Sequence, residues 1–210
     1  MALREAFDDG GCPVCCRLQR CALRHMRQLL WESVNDSGVR SALRQDGGLC
    51  RRHLQLLLSL KEGQSSAILI RDWFDRQVVR LFRNKDSGAR RKCKIPIDCL
   101  FCRNDRDEEF NARHMLAAFA GDRELRSCWD ESSCLCLAHL HAVLACKPAK
   151  DDAAVLLAVH ERHFQKLRGE LQQLQDDYRS DRPAGAESSE LVLERVCDIL
   201  AESSDLHCLL

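Results

Sequence analysis

The sequence carries no excess charge of either sign, with 32 Lys and Arg against 32 Asp and Glu. Without a net field, no global attraction to nucleic acid or to an anionic membrane surface is expected. Aromatic residues make up only 5% of the chain, with one tyrosine, and there are four prolines. Scarce aromatics beside abundant Leu, Ala and Arg favour helices over sheets. Long apolar runs are missing too. The longest, Ala153 to Val159, is far short of the roughly 20 residues that a membrane-spanning helix needs. The opening Met1-Ala2-Leu3-Arg4-Glu5, leading into Phe7-Asp8-Asp9, shows no apolar core of a secretion signal. A cytoplasmic, reducing location is therefore expected, where thiols rarely close into structural disulfides.

Against these shortages stand 14 cysteines in 210 residues. In a reducing compartment, cysteines at that density read as metal ligands, redox groups or small buried apolar residues. Spacing chooses among them, because the chain is a duplication. At one offset of 86 residues, Asp36 matches Asp122, Arg40 matches Arg126 and Ser41 matches Ser127. At the same offset Leu49-Cys50 matches Leu135-Cys136, and His53-Leu54 matches His139-Leu140. Cys12-Pro13-Val14-Cys15 lies over Cys99-Leu100-Phe101-Cys102 at an offset of 87, so one residue has been gained or lost in the intervening helix. Two copies of a unit of about 50 residues result.

Each copy reads as helical. After Cys15, Leu18, Ala22, Met26 and Leu29-Leu30 recur every three or four residues. Asn35-Asp36 offers an N-cap for a short helix to about Gln45, ended by Gly47-Gly48, with Gly121-Asp122 taking the capping role in the second copy. Leu49-Cys50 and Cys136 open the next helices, and Pro148 closes the second of them. Outside the repeats, Gln64 to about Arg83 reads as a helix, and Asp151 to Tyr178 as a longer one. Its coiled-coil-like seam is Leu157, His160, Phe164, Leu167, Leu171, Leu174 and Tyr178. A last helix spans about Ser188 to Ala201. No segment alternates as a strand would. The expected fold is all-α: duplicated helical units, each with a Cys3His metal knuckle, a long C-terminal helix and a final short one. The expected division is 8–83, a basic linker 84–95, then 96–180 and 187–203.

The candidate ligands are Cys12, Cys15, Cys50 and His53 in the first copy, and Cys99, Cys102, Cys136 and His139 in the second. Zinc takes four such donors in a tetrahedron, and Cys3His is one of its structural sets. Two intervening residues let a tight turn aim both side chains at one ion. Each Cys-x-x-His falls at a helix N-terminus, where the dipole stabilises a thiolate. Two zinc ions are expected. Iron–sulfur clusters are the alternative, buried structural thiols or dithiol chemistry at Cys12-Pro13-Val14-Cys15 a lesser one. Spacing also leaves open an exchange in which one copy's CxxC completes the other's site. The remaining cysteines (Cys16, Cys21, Cys93, Cys128, Cys134, Cys146, Cys197 and Cys208) have no counterpart in the other copy or lie outside the repeats. Core packing or incidental surface thiols account for them.

The CPxC opening, Asp36-Ser37-Gly38-Val39-Arg40, Gly48-Leu49-Cys50-Arg51-Arg52-His53 and the second-copy Phe101-Cys102 and Leu135-Cys136-Leu137-Ala138-His139-Leu140 resemble an uncharacterised bacterial family, known only as a domain of unknown function. The resemblance runs on through His163-Phe164, Leu167, Glu170-Leu171, Asp177-Tyr178-Arg179 and Gly185-Ala186-Glu187, covering roughly residues 8 to 203. It implies a soluble prokaryotic protein and no activity. One departure is Cys134, which stands where that family has glycine and puts the local turn in question.

The functional expectation is a non-catalytic metal-stabilised scaffold that binds a partner, namely protein. A redox- or metal-responsive sensor with labile sites is the alternative. A nucleic-acid reading rests on Arg80, Arg83, Lys85, Arg90, Arg91, Lys92 and Lys94, for which a solvated linker is the plainer account. An enzyme would use His160, Glu161 and His163, but His160 sits on the seam, where a buried, hydrogen-bonded imidazole is the commoner role. His25 and His114 read as surface or packing residues. Oligomeric state is not legible.

Overall fold

The computed structural model describes residues 3–7, 10–45, 48–83, 99–129, 134–179 and 186–200. The basic linker 84–95, with Cys93 and Cys208, lies outside the described residues. So do the side chains of Arg80 and Arg83.

Among the described residues the protein is all-α, without a strand. A 3-10 turn, Leu3–Ala6, precedes α1 (Pro13–Gln28), a π turn (Leu29–Ser33), α2 (Ser37–Gln45), α3 (Arg51–Ser59) and α4 (Gly63–Arg83). Then come α5 (Leu100–Phe119), α6 (Arg123–Cys128), α7 (Leu137–Ala145), α8 (Lys150–Arg179) and α9 (Ala186–Leu200). The duplication therefore extends beyond its cysteines: α1 to α4 correspond in order to α5 to α8. No helix among the described residues is long and apolar enough to cross a membrane.

Local chemistry explains these elements. Asp122 caps α6 by accepting from Glu124 N at 2.8 Å and Leu125 N at 3.2 Å. In the first copy Asp36 accepts from Val39 N at 2.8 Å. Both copies end the third helix at a lysine in the left-handed region, Lys61 and Lys147, each at φ 57. The register change also has a structural form. The first copy has one residue more between its CxxC and its capping Asp, and α1 ends in a π turn, the conformation by which a helix absorbs a single inserted residue.

The chain divides into two compact units that cut across the repeats. Residues 1–18 and 109–210 form one, and residues 19–108 the other. The division falls within α1 and α5. In the first unit, Val14, Ala112, Leu116, Leu135, Val143 and Leu156 are the fully buried centre of a core that includes Phe7 and Trp129, whose rings meet edge-on at 4.7 Å. In the second, Met26, Leu30 and Leu57 are fully buried, with Leu43, Leu49, Leu69 and Phe101 around them. There Asp72 on α4 accepts from Arg44 at 2.6 Å and Arg40 at 3.2 Å on α2. Chiefly Arg40, then Arg44, hold its carboxyl below the usual carboxylate range.

The long-helix seam sits slightly differently from its expected course. Leu156, Val159, His160 and Leu167 are the buried positions of α8, whereas Leu157 and Tyr178 face outward. The threes-and-fours pattern begins one residue earlier because the core contact is made by Leu156.

Candidate metal centres

The eight cysteines and histidines singled out above gather into two groups of four, but not within copies. Cys12, Cys15, Cys136 and His139 form one group in the first unit; Cys50, His53, Cys99 and Cys102 form the other in the second unit. Each copy's CxxC joins the opposite copy's CxxH, so the exchange replaces the pairing expected within copies. Spacing along the chain left both pairings open, and the donor atoms gather in the exchanged one.

All four pairs stand at helix N-termini. Cys50 and Cys136 are the N-cap residues of α3 and α7. The carbonyls of Cys12 and Cys99 accept the first-turn bonds of α1 and α5, from Cys16 N at 3.0 Å and Arg103 N at 3.1 Å. The positive ends of four helix dipoles thus converge on thiols, the arrangement that favours thiolates.

The donor atoms are crowded. His139 Nδ1 lies 3.4 Å from Cys12 Sγ, 3.3 Å from Cys15 Sγ and 3.1 Å from Cys136 Sγ. His53 Nδ1 lies 3.2, 3.4 and 3.5 Å from the sulfurs of Cys50, Cys99 and Cys102. Sulfur–sulfur separations are 4.0 Å for Cys15 and Cys136 and 3.5 Å for Cys50 and Cys102. A tetrahedron with bonds of about 2.3 Å to sulfur and 2.0 Å to nitrogen has edges of roughly 3.5 Å (N–S) and 3.8 Å (S–S). The N–S separations fall at or up to about 0.4 Å below that edge and the two S–S separations lie on either side of theirs, so each group is of a size to hold one ion.

Electrostatics match the crowding. Hydrogen bonds from Cys12 and Cys15 hold the Cys136 thiol far below its ordinary value, while Cys15, hydrogen-bonded to Cys12 and Cys136, is pushed up. Burial works against a charged His53, but Asp105 and Cys99 outweigh it and push its pKa up to about 9. Burial likewise opposes the His139 cation, which Cys12 and Cys136 raise to about 10. Cys134, beside the first group, is buried and outside it, and desolvation pushes its thiol up to about 12.

Sequence reasoning missed the residues behind the histidines. His53 Nε2 lies 3.1 Å from Asp105 Oδ2, and His139 Nε2 lies 3.9 Å from Glu109 Oε1. The first contact is close but oblique, and neither Nε2 makes an aligned hydrogen bond. Both carboxylates lie on α5, at positions where α1 has Leu18 and Ala22, so the repeat gave no sign of them.

The other candidates fall elsewhere. His160 is buried, with its ring nitrogens committed: Leu135 N donates to Nε2 at 2.8 Å, and Nδ1 donates to the Leu156 carbonyl at 2.6 Å. That is the packed, hydrogen-bonded seam histidine, held in its neutral form. Glu161 is exposed. His114 is exposed, with Nδ1 2.8 Å from the Phe110 carbonyl oxygen, and His25 is half-buried on α1. Burial, the largest influence, and the nearby His163 push His160 below the ordinary imidazole value, against the Leu156 carbonyl and Cys136. A lowered imidazole pKa stabilises the fold fully above the unfolded value of about 6.5, and that contribution is lost as pH falls from there through the lower folded value. His160→Gln should cost about 1–2 kcal/mol at pH 7.5, a margin that narrows by pH 5.5. Urea unfolding at the two pH values reads this; an unchanged margin would contradict a neutral His160.

Fold and site together define an all-helical protein with two Cys3His groups, each positioned to hold a metal ion. The profile of the Family of unknown function (DUF6062) matches residues 1–182, and the chain belongs to that family. The chain is also similar to an uncharacterized 23.9 kDa protein in the xynA 3' region of Caldicellulosiruptor sp. (strain Rt8B.4). The two are 26% identical over 183 residues, covering 84% of this chain and 87% of that one. No solved structure gives a significant match.

Proposed function

We propose that the protein is a bacterial, cytoplasmic scaffold stabilised by two structural zinc ions, which acts by binding a protein partner. The single observation that carries the metal reading is the pair of four-donor groups, in each of which all donor atoms lie within 4.8 Å of one another. Four protein donors leave no open position for substrate or water, which is the structural rather than the catalytic arrangement. An iron–sulfur cluster inserts a core of iron and sulfide between its ligands. Donor atoms all within 4.8 Å of one another therefore suit a single ion better. Cys12, Cys15, Cys136 and His139 would hold one ion, and Cys50, His53, Cys99 and Cys102 the other, and the bound ions would supply folding free energy.

A second reading, a metal-responsive sensor, is favoured by the partial exposure of Cys15, Cys50 and Cys102, which gives an oxidant access to sulfur. Protein purified without oxygen and assayed by elemental mass spectrometry should carry about two zinc ions per chain and no visible colour. Iron with acid-labile sulfide would replace the zinc reading by clusters. Zinc lost to mild peroxide and regained with reductant would move the sensor ahead of the scaffold.

A further inference from the structure

The two ligand histidines present Nδ1 to the sulfurs, so Nε2 points the other way, into buried protein. His53 is fully buried and His139 is 1% exposed. A buried ring N–H without an acceptor is costly, so what stands behind each Nε2 decides how well the ring is held. Behind His53 stands Asp105, itself buried at 9% exposure, and Arg52 NH1 lies 3.7 Å from the same Asp105 oxygen. Phe101 packs on the His53 ring, with centroids 5.4 Å apart. Behind His139 stands Glu109, at 3.9 Å, with Arg113 NH1 3.7 Å from the same Glu109 oxygen. Each site therefore repeats one order of groups: sulfurs, imidazole, carboxylate, guanidinium. The order is not inherited from the duplication, since both carboxylates come from α5 and the matching positions of α1 are Leu18 and Ala22.

We propose that Asp105 and Glu109 are positioning residues whose negative charge stands behind Nε2 of His53 and His139 and favours the tautomer that turns Nδ1 to the metal, with Asp105 having the larger effect. The inference rests on the metal reading above. A carboxylate behind a ligating imidazole orients the ring and raises its basicity, and removing one lowers metal affinity about 10–100-fold. The inequality follows from geometry: Asp105 is closer to its histidine than Glu109, and more buried.

The full chain loaded with cadmium-113 in place of zinc should give two cadmium resonances. Asp105→Asn should shift one and Glu109→Gln the other, the former more. Asp105→Leu should weaken one of the two ions about 10–100-fold in competition with a chromophoric chelator, with Asn restoring part of the loss. An Asp105 needed only for packing would leave both resonances of the Asn variant in place and both affinities unchanged, which overturns the inference while the metal reading stands. The Asn variant is close to isosteric, so the test survives a Leu variant that fails to fold. A wild-type chain that binds neither cadmium nor zinc overturns both.

Discussion

Removing the metal with a strong chelator at neutral pH should lower the thermal midpoint by about 10–20 °C or more. Structural zinc contributes about 10–16 kcal/mol of apparent binding free energy in small zinc modules. A whole domain is stable by only about 5–15 kcal/mol. Each unit here has its own apolar core, so the loss should be partial. Even about 5 kcal/mol would move the midpoint of a chain this size by roughly 10–20 °C. The first unit is discontinuous, and its candidate ligands Cys12 and His139 are 127 residues apart in sequence. A tie across so long a span removes much conformational freedom from the unfolded chain. Circular dichroism with temperature, before and after chelation and after zinc is restored, checks this. A midpoint unchanged in verified metal-free protein would remove the structural role.

Gly48→Ala should be the most damaging small substitution away from the ligands. Gly48 has φ +94, and a Cβ there would collide with the indole of Trp73, at Nε1, Cδ1 and Cε2. The left-handed backbone costs a residue with a side chain about 1–2 kcal/mol, and overpacking a further 1–3 kcal/mol. A total loss of about 2–5 kcal/mol is expected in urea unfolding. Gly63→Ala is the control, because nothing lies within 4 Å of its added methyl. Trp73→Ala should relieve part of the Gly48→Ala penalty, so that the double variant is non-additive. A Gly48→Ala protein as stable as the parent would contradict the packing described.

The glycine pair at the end of α2 was legible as a turn signal, but its packing partner was not. Trp73 lies 25 residues away on a helix outside the recognised repeat. The second copy shows what happens without the glycine. Cys134 replaces Gly48, and among the described residues the only positive-φ residues other than glycine are Lys61 and Lys147. Cys134 therefore takes a different backbone, and His160, one helix on, bonds the next amide, Leu135 N. The same division runs through the metal centres. Which residues would gather was readable because chemistry repeats at fixed spacing: CxxC and CxxH twice over. Ligand partnership was not, because spacing along a chain does not say which pairs meet in space. Asp105 and Glu109 were invisible for a third reason: they arise on one copy alone and match no motif.

Each candidate metal centre is built from both copies, and double serine variants read this from the metal they retain. Cys15→Ser with Cys136→Ser damages one centre twice and should leave about one zinc per chain. Cys15→Ser with Cys50→Ser damages both centres and should leave none. Native mass spectrometry of the two proteins, purified in parallel, would count the ions. The reverse result, none in the first and one in the second, would show that the centres form within copies and contradict the account.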